Sequence, residues 1–99
     1  MQVQLSKFDI QRSETDSGGR YFVSMDGHEA EMTYSRAGKS IIIIDHTGVP
    51  PELGGRGIGQ ALVKRAVDDA RAEGRKIVPL CPYAKAQIEK HPEWQDVLK

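Results

Sequence analysis

The sequence has almost no cysteine, no excess of either charge and no long apolar run, and each absence narrows its reading. A lone Cys81 has no partner for an internal disulfide, which points to a reducing setting. Lys and Arg number 14, as do Asp and Glu, so no overall field gathers nucleic acid or an anionic membrane surface. Nucleic acid is therefore not an expected partner, and any polyanionic ligand must be held locally. No apolar stretch approaches the roughly 20 residues of a membrane span, and no N-terminal run has signal-peptide character, so a cytoplasmic location is expected. Three scattered histidines and one cysteine give no metal site of the usual spacing. No repeat or low-complexity tract occurs, and the 99 residues suit one domain, 1–99, around one core.

What is present reads as strands first and helices second. Val3 to Ile10 alternates apolar with polar residues and predicts a frayed or edge strand, with Ser13 to Gly19 a loop. Tyr21 to Met25, the pair Asp26-Gly27 and Ala30 to Tyr34 predict a β-hairpin with Ala30, Met32 and Tyr34 on one face. A turn at Ala37 to Ser40 leads into Ile41-Ile42-Ile43-Ile44, whose lack of alternation predicts a central strand covered on both faces. Pro50 and Pro51 cannot donate to a ladder, so this strand splays or stops there.

From Ile58, residues Ile58, Ala61, Leu62, Ala66 and Ala70, flanked by Val63 and Val67, recur at helical spacing until Gly74 stops the helix. Lys76 to Cys81 reads as a short strand and Tyr83 to Lys90 as a second helix between two prolines, with Trp94 in the tail capping the core. The fold class is α+β, a mixed and mostly antiparallel sheet with two main helices. The strand, loop, helix and strand from Ile41 to Leu80 predict a right-handed crossover, with Ile41 to Thr47 parallel to Lys76 to Leu80 and a crevice at their ends.

Between strand and helix lies Gly54-Gly55-Arg56-Gly57-Ile58-Gly59, four glycines in six residues. Such a loop leaves backbone N–H groups unshielded at the positive end of a helix, which suits an anion. It is neither the dinucleotide fingerprint, whose third small residue would fall on Leu62 or Gln60, nor a Walker loop, which needs Gly-Lys-Ser/Thr. The plain alternative is a helix cap that happens to be rich in glycine.

The run Val49 to Val63 resembles the acetyl-coenzyme A signature of the GNAT acyltransferase superfamily: Gln or Arg, two free positions, Gly, one free position, then Gly or Ala. Gly57 and Gly59 match its glycines, while Gly54 stands where Gln or Arg is usual. His46-Thr47, Val78 to Tyr83 and Lys90 to Glu93 further resemble the small single-domain subgroup of the YjdJ type, and the resemblance spans Arg20 to Glu93. It implies a GNAT-like fold with acetyl-coenzyme A as co-substrate and a small amine or protein amine as acceptor. Carried onto this chain, it implies Thr47, Gly48 and Val49 beside the pantetheine arm, and Gly55, Arg56, Gly57, Gly59 and Gln60 on the phosphates.

Acyl transfer to an amine needs a donor for the developing oxyanion and a proton for the departing thiolate. Cys81 and Tyr83, just past the last strand, are the catalytic candidates. Tyr83 would give the proton in a direct transfer, or a Cys81 thiolate would carry the acetyl group in two steps. Each also reads plainly, Cys81 as a small buried hydrophobe and Tyr83 as an aromatic packed at a helix start. His46, at the end of the central strand, is a candidate base. Glu29, Glu31 and Glu52 read as solvated residues, although a carboxylate in the cleft would attract an amine. Two rival readings stay open: a coenzyme A-binding sensor without catalysis, and an interaction protein that pairs through the Val3 to Ile10 edge.

Overall fold

The structure is a computed structural model that describes residues 8–99. Among these residues five strands lie side by side in chain order: β1 (Gln11–Glu14), β2 (Gly18–Met25), β3 (His28–Arg36), β4 (Ile41–Gly48) and β5 (Lys76–Pro79). Neighbours from β1 to β4 are antiparallel, whereas β4 and β5 are parallel, with Ile41 opposite Lys76. A parallel pair needs a long crossover, which helix α1 (Ile58–Glu73) supplies. Helix α2 (Pro82–Lys90) and a 3-10 turn over Pro92–Val97 complete the chain. The hairpin between β2 and β3 turns on Asp26 and Gly27, whose φ values of 53° and 76° match the twist of the paired strands.

Alternation builds one core. Tyr21 and Val23, then Ala30, Met32 and Tyr34, then Ile42, Ile44 and Ile77 turn to the same face, where they meet Leu62, Val63, Ala66 and Val67 of α1 and Ala84 and Ile88 of α2. Trp94 closes this cluster as expected, while Ala61 is only half-buried.

Two strand expectations need correction. Ile41 and Ile43 are half-buried while Ile42 and Ile44 are buried, so β4 is not covered on both faces. Both helices pack into the same cluster and no helix of the described residues covers the other face, to which only Ile41 and Ile43 of the four β-branched residues turn. β4 is nevertheless an interior strand, paired with β3 on one side and β5 on the other. The edge strand expected at Val3 to Ile10 falls largely outside the described residues, and Phe8 to Ile10 are not in a strand. The first strand among the described residues is the polar Gln11–Glu14, and the expected loop shrinks to Thr15, Asp16 and Ser17 because Ser13 pairs with Arg20 and Glu14 with Gly19.

Charge rather than apolar alternation ties β1 down. The Arg12 guanidinium donates to Tyr34 Oη at 3.0 Å, to Asp69 at 3.2 Å and to Glu73 at 2.6 Å. Asp69 also accepts from Tyr21 Oη at 2.9 Å and from Arg65 at 3.1 Å. Burial, reinforced by the Asp69 charge, pushes the Tyr21 hydroxyl well above the ordinary phenol pKa, so it remains a donor. Replacing Asp69 with Ala strands the Tyr21 hydroxyl and is expected to cost about 1–3 kcal/mol in urea unfolding. Asp68→Ala, which removes only exposed pairs to Lys64 and Arg71, is expected to stay within about 0.5 kcal/mol.

Candidate functional site

The site begins where β4 leaves β5. Their ladder runs from Ile41 and Lys76 to Ile44 and Pro79, and the Ile44 carbonyl then accepts the N–H groups of both Leu80, at 3.1 Å, and Cys81, at 3.0 Å. Beyond it β4 pairs only with β3, so from Asp45 to Gly48 it has no ladder partner on the β5 side. The β3 pairing carries a bulge here: Tyr34 faces Ile44, Thr33 faces His46, and Asp45 is the extra residue. A bulge of one residue exchanges faces. His46 thereby joins Thr33 and Glu31 on the uncovered face, and Thr47 opposite Met32 turns to the helical face.

After Gly48 the chain cannot rejoin a ladder, because Pro50 and Pro51 have no N–H. A 3-10 turn over Pro51–Leu53 buries Leu53 and anchors the loop. Gly55 and Gly57 have φ of 76° and 83°, and a side chain at either would be strained. Gly57 is the N-cap of α1 and gives no side-chain cap, so the first amides of a 16-residue helix face outward. They open on a groove of about 300 Å³ whose walls include Thr47, Val49, Leu53, Gly55, Gly57 and Tyr83. Uncapped amides at a helix start beside an unpaired strand edge fit the diphosphate and the amide-bearing arm of coenzyme A.

Tyr83 reaches this groove from the start of α2, and Cys81, at the N-cap of that helix, lies behind Thr47. Cys81 is buried, with Sγ 3.4 Å from Thr47 Oγ1. Burial by itself raises its pKa, but Thr47 and the amides of Ala84, Tyr83 and Thr47 outweigh burial and hold the thiol below its ordinary value. Burial, and then the nearby Cys81 sulphur, raise the Tyr83 hydroxyl. The Tyr83 ring rests on Gly59, where a Cβ would lie 2.5 Å from its hydroxyl. The small residue at position 59 thus seats Tyr83 on the first turn of α1.

The family model of the GCN5-related N-acetyl-transferases matches residues 20–97. The chain belongs to the GCN5-related N-acetyltransferase family. It is 36% identical over 84 residues to Protein NATD1 of Mus musculus, covering 82% of this chain and 76% of that protein. Against Protein NATD1 of Danio rerio it is 30% identical over 99 residues, covering 94% and 90%. The NMR solution structure of a GCN5-like protein from Staphylococcus aureus superposes with a TM-score of 0.73 at 37% identity, over 96% of this chain and 91% of that one. The expected GNAT-like fold, with its mostly antiparallel sheet and two helices, is the fold observed.

Within this N-acetyltransferase fold the predicted residues divide. Thr47, Val49, Gly55, Gly57, Gly59 and Tyr83 line the groove together, with Cys81 behind Thr47. Gly48 faces the opposite side of the sheet, against His46. Arg56 turns away to Asp26 at 2.8 Å, and the Gln60 side chain to His91 at 3.2 Å. Leu53 in the groove wall escaped the sequence reading, although the apolar position beside the glycines was its available signal.

Two outcomes follow from this geometry. Gly59→Ala should unseat the Tyr83 ring, which has room to swing into water, at a cost of about 1 kcal/mol. The check is loss of the nuclear Overhauser contact between the ring and residue 59 with the rest of the spectrum preserved. Thr47→Val should move the pH midpoint of Cys81 alkylation by iodoacetamide upward, since only the thiolate reacts and Thr47 favours it. An unmoved midpoint would show that Thr47 has no hold on the thiol.

Proposed function

We propose that this chain is an acetyl-coenzyme A-dependent N-acetyltransferase acting on an amine, working as one minimal domain in the reducing cytoplasm. The observation that supports the reading best is the shared opening of the uncapped α1 amides and the unpaired β4 edge onto a single groove. Acetyl-coenzyme A, when bound, supplies the acetyl group as a thioester.

The chain's own residues bind and hold protons. Amides of Gly55 through Gln60 take the phosphates, with Arg56 released from Asp26 to join them. Thr47 and Val49 flank the pantetheine arm, with Gly48 between them in the strand. The Tyr83 hydroxyl, with its raised pKa, stays protonated at neutral pH and can give its proton to a departing thiolate. Cys81, polarised by Thr47 and the α2 amides, is the alternative carrier of the acetyl group. A coenzyme A sensor without turnover is the second reading, favoured by Arg56 and Gln60 both being engaged away from the groove.

Isothermal titration with coenzyme A and acetyl-coenzyme A, followed by intact-mass spectrometry, separates these readings. Micromolar binding with a mass gain of one acetyl group, lost in Cys81→Ala, identifies the carrier route. Binding without mass gain, with turnover of an amine that falls in Tyr83→Phe, identifies direct transfer. Binding with Cys81→Ala and Tyr83→Phe both without effect leaves the sensor. A folded protein that binds neither ligand refutes the reading.

A further inference from the structure

His91 stands where α2 ends, beside the first turn of α1, and its ring has one defined setting. Its backbone N–H donates to the Ile88 carbonyl at 3.1 Å, and its own carbonyl accepts the Trp94 N–H at 2.9 Å. The imidazole is stacked on the Trp94 ring, with centroids 3.9 Å apart and planes 14° from parallel. Nδ1 lies 2.8 Å from the Gln87 carbonyl, which can only accept, so Nδ1 carries a proton. In the neutral ring Nε2 is then a bare lone pair, and the Gln60 carboxamide donates to it at 3.2 Å.

Gln60 is the third residue of α1 after the Gly57 N-cap. From that position a glutamine reaches back to the N–H of the N-cap and closes half of a capping box. Here the side chain turns to His91 instead, and Gly57 has no side chain with which to cap the helix. We propose that His91 is a positioning residue, which draws the Gln60 carboxamide off the start of α1 and so keeps the first amides of that helix open to the coenzyme diphosphate. The inference rests on coenzyme A binding at the groove, which both functional readings share. A carboxamide oxygen and a phosphate oxygen are acceptors for the same N–H groups, so a self-capped start would be a competitor built into the site. The tail over Pro92–Val97 serves the same end, because Trp94 in that turn is the ring against which His91 is held.

The test reads the free protein and the complex separately. His91→Phe keeps an aromatic ring for Trp94 and removes Nε2, while His91→Ala removes both. In each free variant the Gly57 amide, followed by NMR solvent exchange, should exchange more slowly than in the unaltered chain, and adding Gln60→Ala should abolish the slowing. Coenzyme A, titrated calorimetrically, should bind both His91 variants about fivefold more weakly. Adding Gln60→Ala, which keeps the backbone amide at position 60 and removes the carboxamide, should recover that loss. Gly57 exchange unchanged in both His91 variants, or affinity undiminished in both, would overturn the proposal while the coenzyme reading stands. A loss of affinity that Gln60→Ala does not recover would also overturn it, because His91 would then act on the ligand or on the fold and not through Gln60. An unaltered chain that binds no coenzyme A would overturn the coenzyme reading and this role with it.

Discussion

The arrangement depends on the carbonyl of Ile44. It is the last acceptor of the parallel ladder, and with its two lone pairs it receives two successive amides of the chain leaving β5. Those bonds close the ladder without an orphaned donor, so β4 and β5 part at one defined residue rather than fraying. Pro79 supplies no N–H at that point, and Pro82 turns the chain into α2. On the other side of β4, the bulge at Asp45 keeps the strand paired to β3 while exchanging its faces. One strand thus remains anchored on one edge and without a ladder partner on the other.

The glycines then set what the unpaired edge opens onto. Gly55 and Gly57 take left-handed backbone conformations that bring the chain from the 3-10 turn to the start of α1. Gly57 leaves that start without a side-chain cap, a state that costs the unliganded protein on the order of a few tenths of a kcal/mol relative to a Ser, Thr or Asp cap. An anion placed at the same amides would offset that cost. Gly59 serves a third end, as a seat for Tyr83. Arg56 and Asp26 meanwhile tie the loop to the β2–β3 hairpin turn.

Much of this was legible in the residues. Asp26-Gly27 located a hairpin, Gly74 ended a helix where it was expected to, and the proline pair with the glycine loop announced a parting strand before a helix start without a side-chain cap. The parallel pairing of β4 with β5 followed from the handedness of crossovers. The bulge was not legible: Asp45-His46-Thr47 contains no glycine or other local marker, and its face exchange is set by the β3 partner. Nor was β1, since Gln11–Glu14 has no apolar period and owes its place to ion pairs with residues more than fifty positions away. The directions of Arg56 and Gln60 likewise depend on Asp26 and His91, which only the fold brings near. What local chemistry dictates could be read from local sequence, and what distant partners dictate could not.

A crystal structure with coenzyme A bound tests the central claim most directly. The account predicts the diphosphate within hydrogen-bonding distance of the amides from Gly55 to Gln60, and the pantetheine arm along the unpaired edge of β4 beyond Ile44. Coenzyme A bound on the uncovered face, or a diphosphate held by side chains away from the start of α1, would contradict it.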